Sequence, residues 1–108
     1  SESENEVDEL ADIVIVCAQL AYLLEFELSL SLFEMEDTGD VNLPELLGTF
    51  ARGLRKNDAS MYQMALSCLV GDCVQMAKRG GCVDFVAQIA NKLRRDDLRG
   101  YLHGARLN

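Results

Sequence analysis

The sequence predicts an all-α fold of four to five helices. Three observations carry that prediction. Apolar residues recur at helical spacing in several separate windows of the chain. Helix punctuation stands between those windows: Asp37-Thr38-Gly39-Asp40, Asn42-Leu43-Pro44-Glu45, Asn57-Asp58 and Gly80-Gly81. At 108 residues and 49% hydrophobic side chains, the chain has enough apolar material for one packed core and too much for disorder.

Residues 1–6 read as a flexible acidic tail and 7–108 as a single helical domain. The first helix is expected from residue 7 to about residue 33, with a possible break, and 10–24 is apolar almost all round, as a central helix would be. Residues 25–32 carry two signals. Glu25-Phe26-Glu27-Leu28-Ser29-Leu30-Ser31-Leu32 alternates with the period of a strand, while Phe26, Leu30 and Phe33 also fall at i, i+4, i+7. No turn residue separates the segment from the helix before it, which favours helix.

The second helix starts where Asn42 can cap, Pro44 fits the first turn and Glu45 completes a capping box. It carries Leu46, Leu47, Phe50 and Leu54, and Arg52, Arg55 and Lys56 lie near its C-terminal end, where the helix dipole favours cations. Asn57-Asp58 ends it and caps a third helix, about 59–79, with Met61, Met64, Ala65, Cys68, Leu69 and Met76 on its apolar face. Gly80-Gly81 stops that helix. A fourth, about 82–95, uses Phe85, Val86, Ile89, Ala90 and Leu93, and Asp96-Asp97 can cap a last short turn.

Charge is divided along the chain. Residues 1–45 hold 13 acidic side chains and no Lys or Arg, while residues 46–108 hold 10 basic and 5 acidic ones. The halves are thus −13 and +5, which sum to the net −8. Such an acidic balance argues against nucleic acid as a partner. The longest apolar stretch is too short, and too flanked by carboxylates, to span a bilayer. The acidic N-terminus lacks the look of a secretory signal. Cys17, Cys68, Cys73 and Cys82 form no C-x-x-C pair, and with His103 as the single histidine they make no zinc pattern. They read as free thiols of an intracellular protein in a reducing compartment.

One stretch carries a metal-binding pattern. From Glu34 as position 1, oxygen-bearing side chains fall at position 3 (Glu36), 5 (Thr38) and 9 (Asn42), with Gly39 at 6, Asp40 at 7, Val41 at 8 and Glu45 at 12. Calcium needs six to eight oxygens around one point, and a tight loop kinked at a glycine turns alternate side chains inward. The stretch resembles the loop of the EF-hand family, with flanks at helical spacing over residues 24–56. The resemblance implies calcium held by Glu34, Glu36, Thr38, Asn42 and Glu45, with Asp40 giving its carbonyl, in a regulatory or structural module of a larger assembly. Glu34 stands where the family has Asp and Thr38 is a neutral ligand, so the resemblance implies weakened or lost affinity. A second hand around Gly80-Gly81-Cys82-Val83-Asp84-Phe85 lacks ligands and would be structural or absent.

Two other readings follow from the residues. A non-catalytic helical interaction or structural subunit without metal, docking on a protein partner, fits the lack of a complete active site, the four methionines and the divided charge. Asp8-Glu9-Leu10-Ala11-Asp12 resembles the E-x-x-D helix of the all-α nucleoside triphosphate pyrophosphatases, which implies magnesium on Glu9 and Asp12, although no E-x-x-E helix precedes it. The basic cluster Lys92, Arg94, Arg95 and Arg99 would bind an acidic partner or cover a helix end within the fold.

Overall fold

The computed structural model describes residues 2–34 and 42–103. It is all-helical: α1 (Glu2–Leu23), a 3-10 turn (Leu30–Glu34), α2 (Leu43–Arg55), α3 (Ala59–Arg79) and α4 (Phe85–His103). No strand occurs among the described residues. α3 is the centre. It packs against α2 and α1, touches α4 and receives the 3-10 turn, while α4 lies mainly on α1. The largest fully buried side chains, Leu66, Val70, Cys73, Val74 and Gln75, all belong to α3. Val7, Leu10, Ala11, Val14, Cys17 and Ala21 face them from α1, and Phe50 faces them from α2.

The predicted caps form. The Asn42 side chain accepts from the Glu45 N–H at 3.1 Å, and its amide donates to the Glu45 carboxylate at 2.9 Å. Asp58 accepts from the Met61 N–H at 3.1 Å and so starts α3. Asp84, not anticipated as a cap, accepts from the Ala87 N–H at 3.0 Å and starts α4. Satisfying these otherwise orphaned N–H groups is what fixes each helix start.

Three helices end alike. At each end an amide bonds back five residues, Phe26 to Ala21, Asp58 to Gly53 and Cys82 to Ala77, and the residue before it has positive φ. Those residues are Glu25 (61°), Asn57 (52°) and Gly81 (86°). This closure satisfies the last carbonyls and needs a left-handed residue, which glycine and asparagine adopt most readily. Gly81 and Asn57 were therefore readable as stops, whereas Glu25 was not.

The expected helix through residues 25–33 is corrected by that closure. α1 stops at Leu23, residues 26–29 are non-helical, and one 3-10 turn follows. The alternation is real: Phe26 and Leu28 are half-buried against the core, while Glu25, Glu27 and Ser29 are exposed. The Phe26 ring sits 6.2 Å from that of Tyr62 on α3, which in turn meets Phe50 edge-on at 6.5 Å. Docking on α3 therefore outweighs the local helical spacing. Ser29 opens the 3-10 turn, its hydroxyl accepting from the Ser31 N–H at 3.2 Å. Because a non-glycine residue in the left-handed region costs about 1 kcal/mol, Glu25→Gly is expected to stabilise the fold by about 0.5–1 kcal/mol. Thermal melting checks this, and a lowered midpoint would overturn it.

Two further bounds differ. α1 reaches back to Glu2, through the stretch read as a tail, as acidic residues at a helix N-terminus favour. α4 runs unbroken past Asp96-Asp97 to His103.

Candidate functional site

The EF-hand reading needs a helix entering the loop, a loop that gathers oxygens, and a helix leaving it. The leaving helix is α2. In place of an entering α-helix stand the non-helical residues 26–29 and the 3-10 turn. Glu36, Thr38 and Asp40 lie outside the described residues, as do Gly39 and Val41. Of the remaining expected ligands, Glu34 is exposed, and Asn42 and Glu45 are exposed and bonded to one another in the capping box. The start of α2 is held from below. The Asn42 N–H donates to the buried Asp72 carboxylate of α3 at 3.2 Å, placing a negative charge at a helix N-terminus, where the macrodipole favours it. Among the described residues, no group of three or more His, Cys, Asp or Glu is placed to hold a metal ion.

The pair Glu9 and Asp12 fares similarly. Lys92 of α4 reaches Asp12 at 3.4 Å and Asp8 at 3.5 Å, and Arg95 reaches Asp8 at 3.2 Å. A fixed ammonium thus already neutralises the carboxylate that a magnesium ion would need. It also places part of the basic cluster: Lys92 and Arg95 fasten α4 to α1, so some of the opposed charge of the two halves is matched within one chain.

The cysteines are free thiols, with Cys17 and Cys73 buried and Cys68 exposed. Burial pushes the Cys17 thiol up to about 11. Burial, and then the nearby Cys17 and Asp72, push Cys73 up to about 12. Partial desolvation and the Asp72 charge also raise Cys68. A thiol raised in this way is a poor nucleophile at neutral pH.

The feature that stands out is apolar. α1 and α2 both lie on α3, and between them runs a groove of about 340 Å³. Ile13, Val16 and Leu20 form one wall, Leu43, Leu47 and Phe50 the other, and Leu66 and Leu69 the floor. The wall residues recur at helical spacing, so each wall is one continuous stripe about 10 Å long at 1.5 Å per residue. Val16 remains 51% exposed and Leu47 59%. Leu23 and Leu54 continue the two stripes and are also exposed. At the other end of the α1 stripe stand Glu6 and Glu9, both exposed, and Asp12 borders the groove itself. The arrangement is an apolar slot with an acidic mouth; Cys17 also lines it, as the buried thiol that burial raises to about 11, and Asp12 is the carboxylate paired with Lys92.

Reading from sequence alone missed this groove, although the signal was present. A helix that is apolar nearly all round has more apolar surface than the neighbours α3 and α4 cover. No helix among the described residues is long and apolar enough to cross a membrane. No family model, curated protein or solved structure matches the chain.

Proposed function

We propose that this chain is a non-catalytic helical binding module, acting as a regulatory or structural subunit within a larger assembly. The groove between α1 and α2 carries the reading. Its volume is in the range of sites that accept ligands, and an engineered cavity of roughly 150 Å³ already binds one benzene. Two apolar stripes two turns long, open to solvent at Val16 and Leu47, match the way grooves take up an amphipathic helix. Apolar surface of this kind, left open by the fold, marks interaction sites on soluble domains. The capping box accounts for Asn42 and Glu45 without calcium, and the module does not depend on calcium in this reading.

The test asks whether the groove is spare to folding. Leu47→Gln is expected to leave the melting temperature within about 2 °C of wild type, as exposed substitutions do, while removing the fluorescence of an apolar dye bound to the chain. A large fall in melting temperature would make Leu47 a folding residue, and unchanged dye binding would move the sticky surface elsewhere; either result overturns the reading. Millimolar calcium is expected to leave the wild-type melting curve unchanged. A ligand that binds the native state must raise it by mass action, so a rise of several degrees would restore the EF-hand reading in its place.

A further inference from the structure

The fold gathers three sulfur-bearing side chains on one open face of α3. Met61, Met64 and Cys68 stand at i, i+3, i+7, within an arc of about 60°. Methionines at such spacing commonly fill gaps in a core. Here they do not: Met64 is 65% exposed, Cys68 is exposed and Met61 is half-buried. All three line another cavity, of about 330 Å³, which opens between α2 and α3 and shares no lining residue with the groove. Residues three and four apart on a helix are neighbours, with Cβ atoms about 5–6 Å apart, so Met64 is next to each of the other two. Helix side chains lean toward the N-terminus, which carries Cys68 back over the turn that holds Met64. Methionine is unbranched and turns about three side-chain bonds, which lets Met61 close the set.

The donors decide which ligand fits. Thioether and thiolate sulfurs are soft and select copper(I). A hard cation would find there only the Asp58 carboxylate and the Thr49 and Ser60 hydroxyls, short of the oxygens that calcium gathers. Asp58 is also already bonded to the Met61 N–H at 3.1 Å. Zinc takes thiolate, imidazole or carboxylate and leaves thioethers unused. Charge favours a cation as well, since the buried Asp72 carboxylate, one turn beyond Cys68, is close enough for its charge to act on that thiol. We propose that Met61, Met64 and Cys68 bind one copper(I) ion in the cavity between α2 and α3. The ion bonds to the Cys68 sulfur as the thiol proton leaves for solvent, and the two thioethers complete its coordination with no proton to lose. No electron is transferred. The site is separate from the groove, so it stands or falls independently of the Leu47→Gln results.

Anaerobic titration of the full chain with copper(I), supplied as its coloured bicinchoninate complex, tests this. One equivalent should pass to the protein and bleach the complex, and the melting temperature should rise, as mass action requires of a ligand of the native state. Cys68→Ser should abolish the transfer. Met61→Leu and Met64→Leu keep the volume and remove the sulfur. Each should weaken binding about tenfold or more, since even groups that only support a metal ligand are worth that much. Met76→Leu and Cys82→Ser alter sulfurs outside the cavity and should bind like wild type. Excess zinc should not displace the copper. No transfer to the wild type, displacement by zinc, or a loss that follows Cys82→Ser and not Cys68→Ser overturns the proposal. So does binding that needs Cys68 but is unchanged in either folded methionine variant, the behaviour of a lone thiol. Melting curves without copper show which variants are folded, and the exposed Met64→Leu carries the test if Met61→Leu is not.

Discussion

Gly53→Ala is expected to destabilise the fold by about 2 kcal/mol, lowering the melting midpoint by roughly 10 °C. Gly53 is buried where α2 crosses α3, and a Cβ placed on it would lie 2.8 Å from the Tyr62 backbone nitrogen, 3.0 Å from the Tyr62 Cβ and 3.1 Å from its Cα. These are backbone and backbone-proximal atoms and cannot swing aside like the end of a flexible side chain. Tyr62 is itself pinned, its N–H bonded to the Asp58 carbonyl at 3.1 Å and its ring held between Phe26 and Phe50. Relief would require α2 and α3 to separate, which would loosen Phe50 and the wall of the groove with it. Alanine recovers up to about 1 kcal/mol of helix propensity over glycine, so the net loss is smaller than the overpacking alone. Gly48 is the internal control. It lies in the same helix, with nothing within 4 Å of an added Cβ, so Gly48→Ala should stabilise by about 0.5–1 kcal/mol. Urea or thermal unfolding of the two variants separates the effects, and a Gly53→Ala protein at least as stable as wild type would refute the close crossing.

The sequence announces this architecture unevenly, and the reasons are physical. Local chemistry was legible: Asn42, Asp58 and Gly81 act through residues one to four positions away, so their spacing suffices to read them. Glu25 was not, because its left-handed conformation is imposed by Phe26 docking on Tyr62, 36 positions later, against the residue's own preference. The same distance problem governs the candidate sites. The spacing from Glu34 to Glu45 displays an ordered series of oxygens, but a one-dimensional pattern cannot say that Asn42 and Glu45 are bonded to each other or that residues 26–29 are non-helical and lead into a 3-10 turn. The groove depends on how far α1 and α2 stand apart on α3, a property of no single window. The charge division was legible as a number, but its meaning needed the partners of Lys92.

Lys92→Ala is expected to cost about 2 kcal/mol and to release α4 before the rest of the fold. The side chain of Lys92 is only 10% exposed, with its ammonium between Asp12 at 3.4 Å and Asp8 at 3.5 Å. Removing one partner from a fully buried pair costs about 3–5 kcal/mol. Here Asp8 and Asp12 keep 36% and 55% of their side-chain surface in water, so solvent compensates part of the lost charge and the cost falls below that range. The four-carbon stem of the lysine also packs on α1, and alanine removes that contact too. Lys92→Met separates the contributions by keeping the stem and deleting the charge, and should cost about half as much. Arg95, itself half-exposed, adds a surface pair to Asp8 at 3.2 Å, worth less than about 1 kcal/mol and screened by salt. Because α4 touches little besides α1, the loss should be local: amide hydrogens of α4 should exchange faster in Lys92→Ala, while those around Leu66 and Val70 in α3 keep their protection. Arg94→Ala is the comparison, since Arg94 is exposed and contacts only Asn91 of its own helix among the described side chains. If Lys92→Ala exchanged and melted like Arg94→Ala, the ammonium between the two aspartates would not be what holds α4 in place. Among the described side chains of α4, Phe85 and Ile89 would then be what holds it.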